Sequence, residues 1–338
     1  MFILILVFGV ALRFANFFVD RSFWGDEFFT IFLVTQSFKN VLLGALRDVH
    51  PPLYAVTYYL FAKIFGVHEW TFRLHPCLFS IGIIIAVYYL AKTFFEEKIA
   101  LMASFLTAIS PYFIQLADEV RGYNLFAVAA SATTVFFVKL LRNPLDTKWV
   151  FLYILGASAT IYSQHYGWFL LFATTTTICW LWCYENRPDW NVLWAQGTLF
   201  ISVIPALVLM VYQAFRFESV HLYHERMTGY SSFPFLLKKI VGLFWHFSSG
   251  YVYSMITIDQ ILHLLKNSPM FWISGLTTGA VLFLLYRGFI VLYQSQRKVF
   301  VLFFMILIFP AVSLLLLYAI RLDARYMSFA APIFMISS

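Results

Sequence analysis

Charged residues are scarce in this chain: Asp, Glu, Lys and Arg together make up 12% of 338 residues, against 62% hydrophobic and 21% aromatic. So little polar surface cannot cover a water-soluble globule, and that class is excluded. Cysteine is nearly absent too. Cys77, Cys179 and Cys183 lie in apolar segments; the pair four residues apart has neither zinc spacing nor a loop around it, so buried thiols are expected. There is no Walker loop, no G-x-G-x-x-G, no H-E-x-x-H and no G-x-S-x-G, which leaves a nucleotide-using cytosolic active site unsupported. No internal repeat, low-complexity tract or flexible linker interrupts the chain.

What the chain does have is apolar runs from end to end. A spanning helix needs about 20 mostly apolar residues, and windows of that kind fall at roughly 1–19, 72–94, 99–117, 123–141, 149–165, 167–184, 191–213, 271–287 and 299–320, with another starting near 326. This pattern predicts an all-α polytopic membrane protein forming one domain over 1–338. The run from Met1 has no basic segment before it and no small-residue cleavage site, so it reads as the first span and not as a signal peptide. The hydrophobic segment from Pro332 to Ser338 is too short to cross, and the native chain is expected to continue beyond it.

The net charge of +7 points to basic cytoplasmic loops and gives no argument for nucleic acid. Lys92 and Lys98, then Lys139, Arg142 and Lys148, then Arg287, Arg297 and Lys298 outnumber neighbouring acids and belong inside. Asp26, Arg121, His165, residues 214–268 and the Arg321–Arg325 segment then share the opposite face. Parity makes residues 20–71 a first external loop, in which the apolar stretch 51–67 is either re-entrant or a short tilted second span. Residues 214–268, where charge mixes with Phe244, Trp245 and Phe247, read as a second external loop with surface-lying helices.

Four of the sixteen acidic residues fall within residues 20–54. Asp26 and Glu27 follow Trp24-Gly25, and either cap a helix beginning at Phe28 or supply a general base with an orienting neighbour. In Asp48-Val49-His50-Pro51-Pro52-Leu53-Tyr54 the prolines fix the backbone around an acid and an imidazole. That suits a preorganised site and equally suits a helix start. Asp118 and Glu119 lie beside Arg121 and Tyr123 at a span end. This could be an interfacial salt bridge of little energetic value, or an Arg fork suited to phosphate. His165-Tyr166 and Arg325-Tyr326 repeat the pairing of cation and aromatic on the same face.

Taken in order, Asp26-Glu27, His50-Pro51-Pro52-Leu53-Tyr54, Arg73-Leu74 with Pro76, Ser110-Pro111, Glu119-Val120-Arg121-Gly122-Tyr123, His165-Tyr166 and Arg325-Tyr326 with Pro332 resemble the GT-C glycosyltransferases of the protein-mannosyltransferase and aminoarabinose-transferase type. The resemblance implies a helical membrane bundle whose first extracytoplasmic loop carries the catalytic acid. It also implies a polyprenyl-phosphate-linked sugar as donor, bound from the membrane lipid. Asp26 matches the catalytic acid and Glu27 its neighbour, while His50 matches a position near the donor phosphate. Members run on past the Arg-Tyr-Pro segment, and this chain does not.

The chemistry fits the resemblance. Sugar transfer from a lipid phosphate needs a base for the acceptor, cations for the leaving phosphate and a greasy groove for the prenyl tail. The expected catalytic carboxylates are Asp26, Glu27 and Asp48. His50, Arg121, His165 and Arg325 are expected to bind the donor phosphate, and Trp24, Tyr54, Glu119, Tyr123, Tyr166 and Tyr326 to line the substrate. The expected activity is an inverting transfer to a protein, lipid or glycan acceptor, on the extracytoplasmic face of the plasma membrane. No cofactor is indicated, and a divalent metal on the phosphate is left open. The alternative is a transporter or lipid flippase, whose charges would lie mid-span in two matching halves; here most charges lie at span ends.

Overall fold

The computed structural model describes residues 1–18, 21–185 and 189–216, together with 276, 279, 283, 286–294, 297, 299–306 and 332. Every regular element named among them is a helix. In chain order these are α1 (Phe2–Phe17), α2 (Gly25–Val34), α3 (Phe38–Arg47), α4 (Leu53–Phe65), α5 (Glu69–Phe94), α6 (Glu97–Ile109), α7 (Pro111–Leu116), α8 (Tyr123–Arg142), α9 (Thr147–Ser163), α10 (Gly167–Glu185), α11 (Trp190–Ser202) and α12 (Ile204–Arg216). Residues 286–294 and 299–306 are helical as well. The expected apolar windows up to residue 213 are helical, with 99–117 and 191–213 each divided into two helices. The 217–268 part of the second external loop, and Arg325 and Tyr326, lie outside the described residues.

Lengths follow from what each helix must do. α5 has 26 residues, about 39 Å at 1.5 Å per residue, enough to cross a hydrocarbon core of roughly 30 Å. Tyr123–Arg142 and Trp190–Gln213 are also long and apolar enough to cross. α1 runs antiparallel to α5: Phe2 stacks on Tyr88, and Arg13 bonds Ser80. α8 and α9 pair antiparallel, with Phe137 on Tyr153 and Thr133 bonded to Thr160. Tyr153, fully buried, donates its one hydroxyl proton to Gln196 at 2.6 Å and lies 3.0 Å from the Thr174 hydroxyl, tying α9 to α11 and α10.

One end of the bundle collects basic residues. There Arg142 lies over Phe94, and Lys139 and Lys148 over Trp149. The other end collects the C-terminus of α1, the starts of α2, α4, α5 and α8, and the α9–α10 turn. Asp26, Arg121 and His165 thus share one end, as expected from loop charges.

Three expectations need correction. The window 99–117 is not one helix but α6 and α7, because Pro111 has no N–H to continue the ladder and Ser110 before it is extended (φ −61, ψ 118). The helix after the acid pair begins at Gly25, not Phe28; the Glu27 carboxylate accepts from the backbone N–H of Trp24 and caps it. Of the three cysteines only Cys77 is buried; Cys179 and Cys183 are exposed on α10, one turn apart on a face turned away from the other helices.

α4 is a 13-residue helix that both begins and ends beside the first turns of α5. Thr57 bonds His75, and the Thr71 hydroxyl donates to the carbonyl of Phe65. It ends at Gly66, whose φ of 83° is a conformation other residues adopt only with strain.

Candidate active site

Two side-chain networks occupy the end of the bundle away from the basic residues. The first is built on Glu27, fully buried in the first turn of α2. Its carboxylate accepts from Arg21 Nη1 at 2.9 Å and Nη2 at 2.8 Å, from Trp24 N at 3.1 Å and from Val120 N at 2.8 Å. Four donors use the lone-pair capacity of a carboxylate, so Glu27 is saturated. Arg21 Nε also donates to Asp118 at 2.7 Å. The bond to Glu27 raises the Arg21 pKa despite partial burial, and Asp118 adds to it. Arg73 from α5 completes this network: it donates to the backbone carbonyl of Arg21 and to Glu69, and lies 3.7 Å from Asp118. The network staples the α1–α2 connection to the loop between α7 and α8.

The second network is built on Arg121, whose Nη1 donates to the Asp26 carbonyl at 3.3 Å and to Thr30 Oγ1 at 3.2 Å. Nη2 donates to His50 Nδ1 at 3.0 Å, and the guanidinium lies over the Tyr54 ring. An arginine can only donate, so the imidazole meets it as an acceptor, through Nδ1 or through Nε2 at 3.4 Å from the same nitrogen. Burial lowers the His50 pKa, the nearby Arg121 charge adds to this and Asp48 opposes it; the ring is neutral. Burial also disfavours charge on Arg121, but Tyr54, Tyr123, Asp48 and Asp26 outweigh it and raise its pKa.

Asp48 is occupied too. One oxygen accepts from Val49 N and the other from the Tyr54 hydroxyl, with His50 Nδ1 at 3.4 Å. Burial would raise its pKa, but His50, Tyr54 and Arg121 together bring it below the ordinary value. Asp26 differs from both other acids. Its side chain is exposed and accepts no hydrogen bond among the described residues, while its backbone carbonyl is held by Arg121 and Thr30.

His165 joins through a residue the sequence reading passed over, Gln213 at the end of α12. Both carbonyls within reach of the Gln213 amide nitrogen, those of Ala45 and His50, need a donor. The amide oxygen therefore accepts from His165 Nε2 at 2.7 Å. Burial lowers the His165 pKa against this bond. A neutral ring then presents Nδ1 as a buried acceptor with no donor among the described residues. The signal for Gln213 was present: an amide inside an otherwise apolar window.

Of the expected site residues, the structure brings together Asp26, Asp48, His50, Tyr54, Arg121 and, through Gln213, His165. Glu27 belongs to the neighbouring network. Glu119 and Tyr123 are buried in and just after the same loop, Trp24 is half exposed before α2, and Tyr166 packs on Phe169. Gly122 is needed for close approach: a Cβ there would lie 2.7 Å from Tyr54 Cβ. Among the described residues no group of three or more His, Cys, Asp or Glu is placed to hold a metal ion.

A family model described as dolichyl-phosphate-mannose-protein mannosyltransferase matches residues 49–218, which is 170 of the 338 residues. No curated protein sequence matches. Solved structures share the fold. The oligosaccharyltransferase AglB from Archaeoglobus fulgidus, in complex with an inhibitory peptide and a dolichol-phosphate, has a TM-score of 0.60 at 12% identity, over 99% of this chain and 49% of that one. ArnT from Cupriavidus metallidurans bound to undecaprenyl phosphate has a TM-score of 0.61 at 13% identity, over 99% and 58%. The chain therefore spans roughly half the length of the structures it resembles. At these identities the likeness is one of fold, an all-helical GT-C membrane bundle. With half its length matched by the family model and the whole of it by that fold, the chain belongs to the dolichyl-phosphate-mannose-protein mannosyltransferase family, among the GT-C membrane glycosyltransferases.

Proposed function

We propose that the chain moves a monosaccharide from a polyprenyl-phosphate donor to an acceptor hydroxyl or amine, with inversion, on the extracytoplasmic face of the membrane. The observation that carries this reading is the contrast among the three acids: Glu27 and Asp48 are committed to hydrogen bonds, and Asp26 alone offers a free carboxylate beside Arg121. Asp26 takes the acceptor proton as the acceptor lone pair attacks the anomeric carbon. The bond from that carbon to the phosphate oxygen breaks, its electron pair leaving with the polyprenyl phosphate. Arg121, beside His50, offsets the charge that develops there. His165 presents an acceptor lone pair, which suits a hydroxyl better than a phosphate oxygen. Arg325 and Tyr326 remain candidates for the phosphate and the sugar.

Residues 52–66 are read as a segment that lies at the surface without crossing, since α4 starts at the site with Tyr54 and folds back along the first turns of α5 through Thr57–His75 and Phe65–Thr71; this reading supports a site at the headgroup level. The test is to incubate the purified protein with labelled polyprenyl-phosphate sugars and an acceptor mixture and to measure which label leaves the lipid. Transfer of one sugar, lost in Asp26→Asn, is the expected result; labels that stay on lipid with every donor contradict it. Arg121→Lys keeps a charge but loses the planar fork, so polyprenyl-phosphate binding should weaken by about tenfold, the loss of one charge-assisted bond. Unchanged binding would move the phosphate away from Arg121.

A further inference from the structure

Arg13 is a full positive charge about one turn from the C-terminal end of α1, fully buried, and no described carboxylate pairs with it. An ionisable group inside a spanning segment is costly and calls for an explanation. Its partners supply one. Nε donates to Ser80 Oγ at 2.8 Å, Nη1 to the carbonyls of Gly9 at 3.1 Å and Ala108 at 3.0 Å, and Nη2 to the carbonyl of Thr107 at 3.2 Å. In an unbroken helix the Thr107 carbonyl would accept from residue 111. Residue 111 is proline and has no N–H. The Ala108 carbonyl loses its partner at the same break. The guanidinium thus replaces the ladder bonds that Pro111 removes, and its charge meets the negative end of the α6 dipole.

The same arrangement continues along α7. Ser80, which accepts from Arg13, donates to the Phe113 carbonyl, Asn16 one turn beyond Arg13 donates to Ile114, and Asn124 from α8 donates to Leu116 and Pro76. Side chains from α1, α5 and α8 therefore hold α7 through its carbonyls. α7 leads within five residues to Asp118, Val120 and Arg121, the loop in both networks of the site. We propose that Arg13 is a positioning residue: it fixes the α6–α7 break inside the membrane and through it sets where Arg121 meets Asp26. This rests on the function proposed above for the catalytic part of the test only.

The test compares Arg13→Met, Arg13→Lys, Pro111→Ala and the Arg13→Met/Pro111→Ala pair in purified protein, by hydrogen exchange across residues 107–122, by thermal unfolding and by kcat and KM for transfer. Arg13→Met should lose exchange protection over that segment while α8 and α9 keep theirs. Its kcat should fall by about 10- to 100-fold, the order expected for a misplacement near 1 Å, with little change in KM. Arg13→Lys, which reaches fewer carbonyls, should recover part of both. The pair restores the backbone bond to Thr107, so it should regain thermal stability without regaining kcat. Should Arg13→Met fail to fold, Pro111→Ala alone carries the test: stability kept, kcat reduced. Wild-type kcat in Pro111→Ala, or in the pair, overturns the proposal, as does exchange that rises uniformly in Arg13→Met. If wild-type protein transfers no sugar, the function reading fails, and the exchange pattern still decides whether Arg13 sets the loop.

Discussion

Asp26 and Glu27 are adjacent in sequence and opposite in environment, and the difference is set by residues far away. Glu27 is filled by Arg21 and by the N–H of Val120, 93 positions on; Asp26 points away from both. The acid pair was legible in the sequence, but which member is free was not, because nothing local encodes a contact across such a separation. Glu27→Gln should therefore destabilise, by about 1–3 kcal/mol for a buried hydrogen-bonded acid that loses its charge-assisted donors. Asp26→Asn should stay within about 0.5 kcal/mol of wild type. Chemical unfolding of the two variants in one detergent checks this, and equal losses would contradict it. The imidazoles give a pH dependence. His50 and His165 have folded pKa values below the ordinary one, about 6.5. As pH falls the unfolded chain takes up protons first; their share of stability is intact above about 6.5 and lost below it. The melting temperature should drop between pH 7.5 and 5.5, and less in a His50→Gln/His165→Gln variant. An equal drop in both proteins would rule the imidazoles out as its source.

Helices were the most legible level, since apolar windows of spanning length dictate them. Their interruptions were less so. Ser110-Pro111 could have been read as a break from proline chemistry alone, yet the apolar content of 99–117 masks it. Gln213 was hidden for the same reason, and its partners lie on α3 and in the α9–α10 turn. The α7–α8 loop depends on Gly122, the start of α8's capping turn, which leaves no room for a methyl against Tyr54. Gly122→Ala should push Tyr54 off Asp48 and Arg121, costing about 1–3 kcal/mol as overpacking does. Donor binding should weaken alongside, whereas Gly25→Ala, with open space around it, should leave both stability and binding unchanged. Binding unaffected in Gly122→Ala would show that Tyr54 does not shape the site.

Among the described residues, Lys139, Arg142 and Lys148 gather at one end, and both acid networks, with the arginines that pair with them, at the other. By the positive-inside rule we propose that the networks face outside. In a background without Cys77, Cys179 and Cys183, a cysteine at Ser22 should react with an impermeant maleimide in intact cells and one at Leu145 should not; the reverse pattern would invert the topology. The central claim is that Asp26 is the reacting base within this frame, and single-turnover transfer in Asp26→Asn, with donor binding measured separately, tests it most directly. The account predicts donor bound as in wild type and a rate lower by roughly 10²–10⁴-fold, the usual contribution of a general base. A single-turnover rate equal to wild type, with the donor bound, would contradict it.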